Sequence, residues 1–272
     1  MEIDAIQKSA NGPVTAARIV KDLDRLGARP GMTLLVHASL SAMGWVCGGA
    51  VAVIQALETV LTDAGTLIMP AHSSDFSDPC AWENPPVDPA WWKTIRQTMP
   101  AFDVNLTPTR KMGAIAECFR KQPGVVRSNH PQHSFAAWGK HAKNVVANHS
   151  LERSLGDHSP LAKIYKLDGS ILLLGVGYDS CTSMHLAEDR SFSVCQHVRK
   201  CGAPIMQDGK RCWIEFMELN YNSGDFHQIG MAYEDSGNVL SKGMLGYAES
   251  ILIPQRSLVD FSVSWMDQNR NF

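Results

Sequence analysis

The sequence predicts an α/β fold: a central, mostly parallel sheet flanked by helices, with a smaller antiparallel β addition. Three observations lead there. In the first third, strand and helix patterns alternate in the order that builds a βαβ unit and therefore parallel strands. Residues 170–177, "SILLLGVG", form an apolar run of the kind a buried strand requires. From 194 to 222, strand-like stretches flank the turn "QDGK" and read as an antiparallel addition. The chain of 272 residues reads as one domain, 1–272, with that strand-rich subregion inside it.

The elements follow in order. "TAARIVKDLDRLG" carries apolar residues at helical spacing and closes on Gly27, a C-cap candidate. "GMTLLVHASL" is a short apolar strand, "GGAVAVIQALETVLTDAG" a helix entered through Gly48 and Gly49, and "TLIMPAH" a second strand. Between Ser73 and Thr109 the periodicity dissolves into a loop rich in proline and tryptophan, a length of loop that usually serves function. "RKMGAIAECFRKQ" returns to helix, and "SFAAWGKHAKNVVANH" reads as strand then helix. "SPLAKIYKLDG" is a helix with Ser159 and Pro160 at its start. The apolar strand and the helical turn "TSMHLAEDRS" come next. The tail is expected to hold two more helical stretches and a final strand, "SLVDFSVSWM".

Composition narrows the function classes. Hydrophobic residues at 44% and charged residues at 19% are those of an ordinary globular protein, large enough to bury a core without metal or disulfide. A net charge of −2 argues against a nucleic-acid binder, which would carry a basic face. Seven scattered cysteines without a C-x-x-C pair suit free thiols in a reducing compartment. The start, "MEIDAIQKSANG", has no basic-then-apolar pattern, and no apolar run approaches the ~20 residues that span a bilayer. A cytoplasmic protein with neither nucleic-acid nor membrane partner is expected.

Four clusters carry donors, acceptors or bases where strands should end, the side on which open α/β sheets bind ligands. "LVHASLSAMGWVCGGA" places His37, Ala38, Ser39, Leu40, Ser41, Gly48 and Gly49 ahead of a helix, where backbone N–H groups can hold an anion; the G-K-[ST] ending of a Walker loop is missing. "RSNHPQHS" supplies Ser128, His130 and Ser134, which equally suit a hydrogen-bonded surface loop. "DHSPLAKI" is explained by helix capping alone. In "TSMHLAE", Thr182, His185 and Glu188 fall on one helical face, and a carboxylate three residues after a histidine can fix its tautomer and raise its basicity. Neither His185 with Glu188 nor the Cys195, His197 and Cys201 group follows zinc-site spacing, so no metal is expected.

Taken together, "LLVHASLSAMGWVCGGA", "GTLIMP", "TPTRKMGAIAECFRKQPGVVRSNHPQHSFAAWGK", "HSPLAKIYKLDGSILLLGVGYDSCTSMHLAE" and "LIPQRSLVDFSVSWM" resemble, in order and over nearly the whole chain, the aminoglycoside 3-N-acetyltransferases of the antibiotic N-acetyltransferase type. The resemblance implies an α/β/α domain that moves acetyl from acetyl-CoA to the 3-amino group of a 2-deoxystreptamine aminoglycoside, as a monomer or homodimer. It implies that His185 is the general base, Glu188 its orienting carboxylate and Thr182 the hydroxyl near the thioester. His37, Ala38, Ser39, Leu40, Ser41, Gly48 and Gly49 would then belong to the coenzyme cradle, with Ser128, His130 and Ser134 flanking it. Two positions depart from the family pattern: Ala38 stands where serine is usual, and Cys181 where asparagine is common.

The chemistry fixes what else such a site needs. The acceptor is polycationic, so Asp75 and Glu83 in the long loop, with Asp179 and Asp225, are candidates to bind it. Other readings are an acetyltransferase for a different amine, a CoA-binding protein without catalysis, and a metal-dependent hydrolase.

Overall fold

The computed structural model describes residues 2–238 and 241–270. The first half contains α1 (Glu2–Lys8), α2 (Ala16–Leu26), β1 (Thr33–Ala38), α3 (Gly49–Leu61), β2 (Thr66–Pro70), α4 (Trp92–Thr98), α5 (Gly113–Phe119), β3 (Val126–Arg127) and β4 (Phe135–Gly139). There follow α6 (Ala142–Val146), α7 (Pro160–Lys166), β5 (Ser170–Leu174), α8 (Ser183–Arg190), β6 (Val198–Gln207), β7 (Lys210–Leu219), α9 (Phe226–Asp235), β8 (Ser241–Leu245), β9 (Ala248–Pro254) and α10 (Gln255–Asn269). No described helix is long and apolar enough to cross a membrane.

Seven strands form the main sheet in the order β3-β4-β2-β1-β5-β9-β8. β1 pairs in parallel with β2 and β5 at the centre, while the outer ladders are antiparallel. Two reversals restore direction, so β3 and β8 run with β1, β2 and β5, and only β4 and β9 oppose them. The sheet is mostly parallel in that sense. Its centre explains the apolar runs, because successive strand residues point to opposite faces and both faces are covered. Leu34 and Val36 join the core under α2, α3 and α5, whereas Leu35 joins the core under α6 to α10.

Local signals act where they were read. Thr15 caps α2 by accepting from the Arg18 N–H, and Gly27, at φ 107°, closes it. Ser159 caps α7 with Pro160 in its first turn. β6 and β7 form the separate two-stranded sheet. Their turn places Asp208 at φ 50° and Gly209 at φ 73°, the left-handed pair that a two-residue hairpin requires.

Four expectations change. The loop 73–109 is built rather than irregular: it contains α4 and two 3₁₀ turns, each started by an aspartate that caps it ahead of a proline, Asp78 before Pro79 and Asp88 before Pro89. "SLVDFSVSWM" is helix, not strand. It lies in α10, where Leu258, Val259, Ser262 and Met266 are buried at helical spacing despite the β-branched valines. One of the two tail helices is α9, but the segment before α10 is the β8–β9 hairpin. The apolar run at 170–177 also leaves the sheet early. β5 ends at Leu174 because Gly175 turns at φ 64°, where any Cβ would collide with Ala42. That turn sends the chain over the carboxyl end of β1 and into α8.

Candidate active site

The carboxyl ends of β1, β2 and β5 open into a cleft of about 730 Å³. Along one side lie His37, Ala38, Ser39, Leu40 and Ser41, continuing to Gly49 at the start of α3. Gly48 is not in that lining; its φ of 86° turns the chain into the helix. The lining also includes Lys111, Asp179 and Thr182. Lys111 is the one lysine or arginine in the lining, and Ser39 and Ser41 have their hydroxyl oxygens 3.2 Å apart.

At the inner end two elements meet. His37 is the penultimate residue of β1, and Thr182 is the N-cap of α8. The Thr182 side chain makes no capping bond; its hydroxyl lies 3.4 Å from His37 Nε2. Burial, reinforced by the neighbouring His185, pushes the His37 imidazole down to about 3, so it is neutral in ordinary buffers.

One turn further along α8, His185 Nδ1 stands 2.5 Å from Glu188 Oε2. A carboxylate can only accept, so the proton sits on Nδ1 and the lone pair on Nε2. Glu188 is fully buried, and its other oxygen accepts from Arg270 Nη1 at 2.5 Å and from the Asn222 N–H at 3.0 Å. Tyr221 and Phe226 pack against the imidazole at ring-centroid distances of 5.0 and 4.8 Å. The histidine is therefore fixed in tautomer by the carboxylate and in position by two aromatic rings. Its neighbour Cys181 is no nucleophile, since burial pushes the thiol up to about 12.

Ser128, His130 and Ser134 do not line this cleft. They are buried in a hydrogen-bonded cluster beside β4. The Ser128 hydroxyl meets the Phe135 N–H and His149 Nδ1, each at 2.9 Å. Ser134 donates to the Ala71 carbonyl and accepts from Arg127. His130 Nδ1 accepts from the N–H groups of Gln132 and His133, and its Nε2 faces the Leu151 carbonyl. His130, His133 and Glu218 approach within 4.8 Å, a spacing that suits a metal. Yet the one lone pair of a neutral His130 is already spent on two backbone donors. Ser154 takes up the others, with His133 Nδ1 2.6 Å from its hydroxyl and Glu218 accepting from it. As arranged, the cluster is a hydrogen-bond network.

The four acids fare differently. Asp179 lines the large cleft and is exposed. Asp75 and Glu83 line a second cleft of about 450 Å³ beneath the long loop, where Lys111 reappears with Arg110, Arg199 and Lys200. Asp75 pairs with Arg110 at 2.8 Å, so the loop is of mixed charge rather than acidic. Asp225 is only partly exposed, and both its oxygens accept from Arg270, at 2.5 and 2.7 Å. Arg270 and Asn222 were not singled out from the sequence, since they reach the site from 82 and 34 residues beyond Glu188.

Comparison with known proteins identifies the family. The model of the family described as aminoglycoside 3-N-acetyltransferase matches residues 35–267. The chain is 48% identical over 265 residues to the SPbeta prophage-derived aminoglycoside N(3')-acetyltransferase-like protein YokD of Bacillus subtilis (strain 168), covering 97% of this chain and 96% of that one. The crystal structure of that protein superposes with a TM-score of 0.95 over 98% of both chains. Aminoglycoside N(3)-acetyltransferase VII of Streptomyces paromomycinus is 34% identical over 283 residues, covering 97% and 95%. The structure described as AAC-IIIb binary with CoASH, 26% identical, has a TM-score of 0.84 over 96% of this chain and 98% of that one. The chain belongs to the aminoglycoside 3-N-acetyltransferase family and is by that membership an acetyl-CoA-dependent acetyltransferase.

Proposed function

We propose that this protein transfers acetyl from acetyl-CoA to the 3-amino group of a 2-deoxystreptamine aminoglycoside, by direct attack in a ternary complex with His185 as general base. The observation that carries the reading is the His185–Glu188 pair, one helical turn beyond a threonine that borders the large cleft. An aminoglycoside amine is largely protonated near neutral pH and cannot attack until it loses a proton. His185 Nε2 takes that proton, and Glu188 stabilises the imidazolium. The amine nitrogen then bonds to the thioester carbon, the C–S bond breaks, and the nitrogen's second proton passes to the departing thiolate. The Thr182 hydroxyl, or a backbone N–H beside it, donates to the developing oxyanion.

The coenzyme's anionic half suits the large cleft, where Lys111, Ser39 and Ser41 join backbone donors leading into α3. The related structure described as binary with CoASH supports coenzyme A as the ligand, not its placement. Ser128, His130 and Ser134 would act only indirectly, by shaping the β4 side of the fold. Asp75, Glu83 and Asp179 are the acids available to a cationic acceptor.

The test is thiol release from acetyl-CoA with gentamicin, apramycin and neomycin, for wild type and His185→Ala. General acid–base catalysis contributes ~10²–10⁴-fold, and the variant should lose about that much. A loss below tenfold removes His185 from this role. A second reading, acetylation of a different amine, is favoured by the mixed charge of the second cleft and by the relative described as acetyltransferase-like. Tight acetyl-CoA binding without release for any aminoglycoside would select it.

A further inference from the structure

We infer that Arg270 is a positioning residue for proton transfer at His185, acting by holding Glu188 in place and aimed at the ring. The inference rests on His185 being the base. Arg270 follows directly after α10, whose buried face packs alongside α8, and its side chain is only 6% exposed. Its guanidinium meets two carboxylates at once. Nη1 donates to Glu188 Oε1 at 2.5 Å, while Nη2 and Nε donate to Asp225 at 2.5 and 2.7 Å. Nη2 also reaches the Asn222 carbonyl at 2.9 Å, and the N–H of that same residue donates to Glu188. The segment 222–225 and Arg270 therefore form a clamp around one carboxylate oxygen, leaving the other for His185.

The charges explain why a clamp is needed. A buried carboxylate facing only a neutral imidazole has no counter-charge to offset its desolvation and nothing to fix its orientation. Arg270 supplies both. Together Glu188, Asp225 and Arg270 carry one negative charge in excess, and the proton that His185 accepts brings the buried set to neutrality. A lysine could supply the charge but not the planar fork that meets both carboxylates. Asp225 thus belongs to the clamp, holding Arg270 as Arg270 holds Glu188.

The experiment measures kcat and KM across pH for Arg270→Ala, Arg270→Lys and His185→Ala, with the Nδ1 proton of His185 followed by NMR. His185, Glu188, Asp225 and Tyr221 are the titratable groups facing the clamp, so the profile is compared with that of wild type rather than assigned to one residue. Loss of a supporting partner of this type costs 10–100-fold in activity, so kcat of Arg270→Ala should fall by about that factor while KM for acetyl-CoA stays within twofold. The downfield Nδ1 proton should disappear, and added guanidinium ion should restore part of kcat. Arg270→Lys should lose less. A purely structural arginine would lower the melting temperature but leave the Nδ1 resonance and the kcat of folded enzyme in place, and that result overturns the inference. Should Arg270→Ala not fold, Arg270→Lys decides: full kcat with an unchanged Nδ1 resonance counts against the clamp. If His185→Ala keeps its turnover, the base assignment itself fails. If it collapses while Arg270→Ala retains kcat within twofold, only the clamp does.

Discussion

His185 on helix α8 and His130 in the cluster beside β4 are held by the fold in different ways. At His130 both ring nitrogens face backbone groups, and the residue is wholly buried. At His185 one nitrogen is held by Glu188 and the ring keeps 16% of its surface open. What separates a reactive histidine from a structural one is a nitrogen left over after the fold has taken its share.

The comparison breaks most sharply at Glu188. Replacing it with alanine removes the partner of His185 and also leaves Arg270 buried with half its counter-charge gone. Deleting one member of a buried ion pair costs about 3–5 kcal/mol, so Glu188→Ala should lose both turnover and stability. Thiol-release assays and thermal melts on the same preparation would separate the two. His130→Ala should do the reverse. Its loss strands the N–H groups of Gln132 and His133, worth about 1–3 kcal/mol each when buried and unmet, yet turnover per folded molecule should stay within threefold of wild type. A hundredfold drop there would mean that the β4 cluster takes part in the reaction.

The sequence distinguishes these two histidines poorly because it records only local spacing. His185 and Glu188 are three residues apart, so helical geometry alone brings them together. The β1–α3–β2 unit was equally legible, since continuous apolar runs bounded by glycine admit few other readings. The clamp was not, because Arg270 carries no periodic signal and its partners lie 82 and 45 residues away. The pairing of Asp75 was hidden for the same reason: its partner Arg110 is 35 residues on. In α10 the β-branched residues spoke for strand while the helical spacing of buried positions decided otherwise.

Acid offers a gentler way to sharpen the contrast. His37 is held near 3 in the folded chain, against an ordinary value of 6.5, because it is buried next to His185. His130 is likewise driven well below its ordinary value, by burial first and then by His149 and His133. Between those limits the unfolded chain binds protons that the folded chain refuses. Stability is therefore fully present above 6.5 and falls as the pH drops through 6.5 towards about 3. Melting temperatures at pH 8, 6, 5 and 4 should decline in that window, and less steeply for His37→Gln, which has no proton to gain. Parallel curves for the two proteins would show that His37 is not held neutral by the fold.

The smallest effect should come from the long loop. Asp75 and Arg110 are both about half exposed, and pairs of this kind contribute about 0–1 kcal/mol. Asp75→Asn should leave the melting temperature within a degree or two and kcat unchanged. Its effect, if Asp75 meets a cationic acceptor, falls on the acceptor's KM alone, because freeing Arg110 adds a positive charge to a cleft that already holds Lys111, Arg199 and Lys200. That shift should shrink as salt is raised, since exposed charges are screened over about 10 Å at 0.1 M ionic strength. A KM that does not move at low salt would exclude Asp75 from the acceptor site. The acids facing the substrate would then be sought at Asp179, which lines the large cleft near Thr182 and has no ion-pair partner among the described residues.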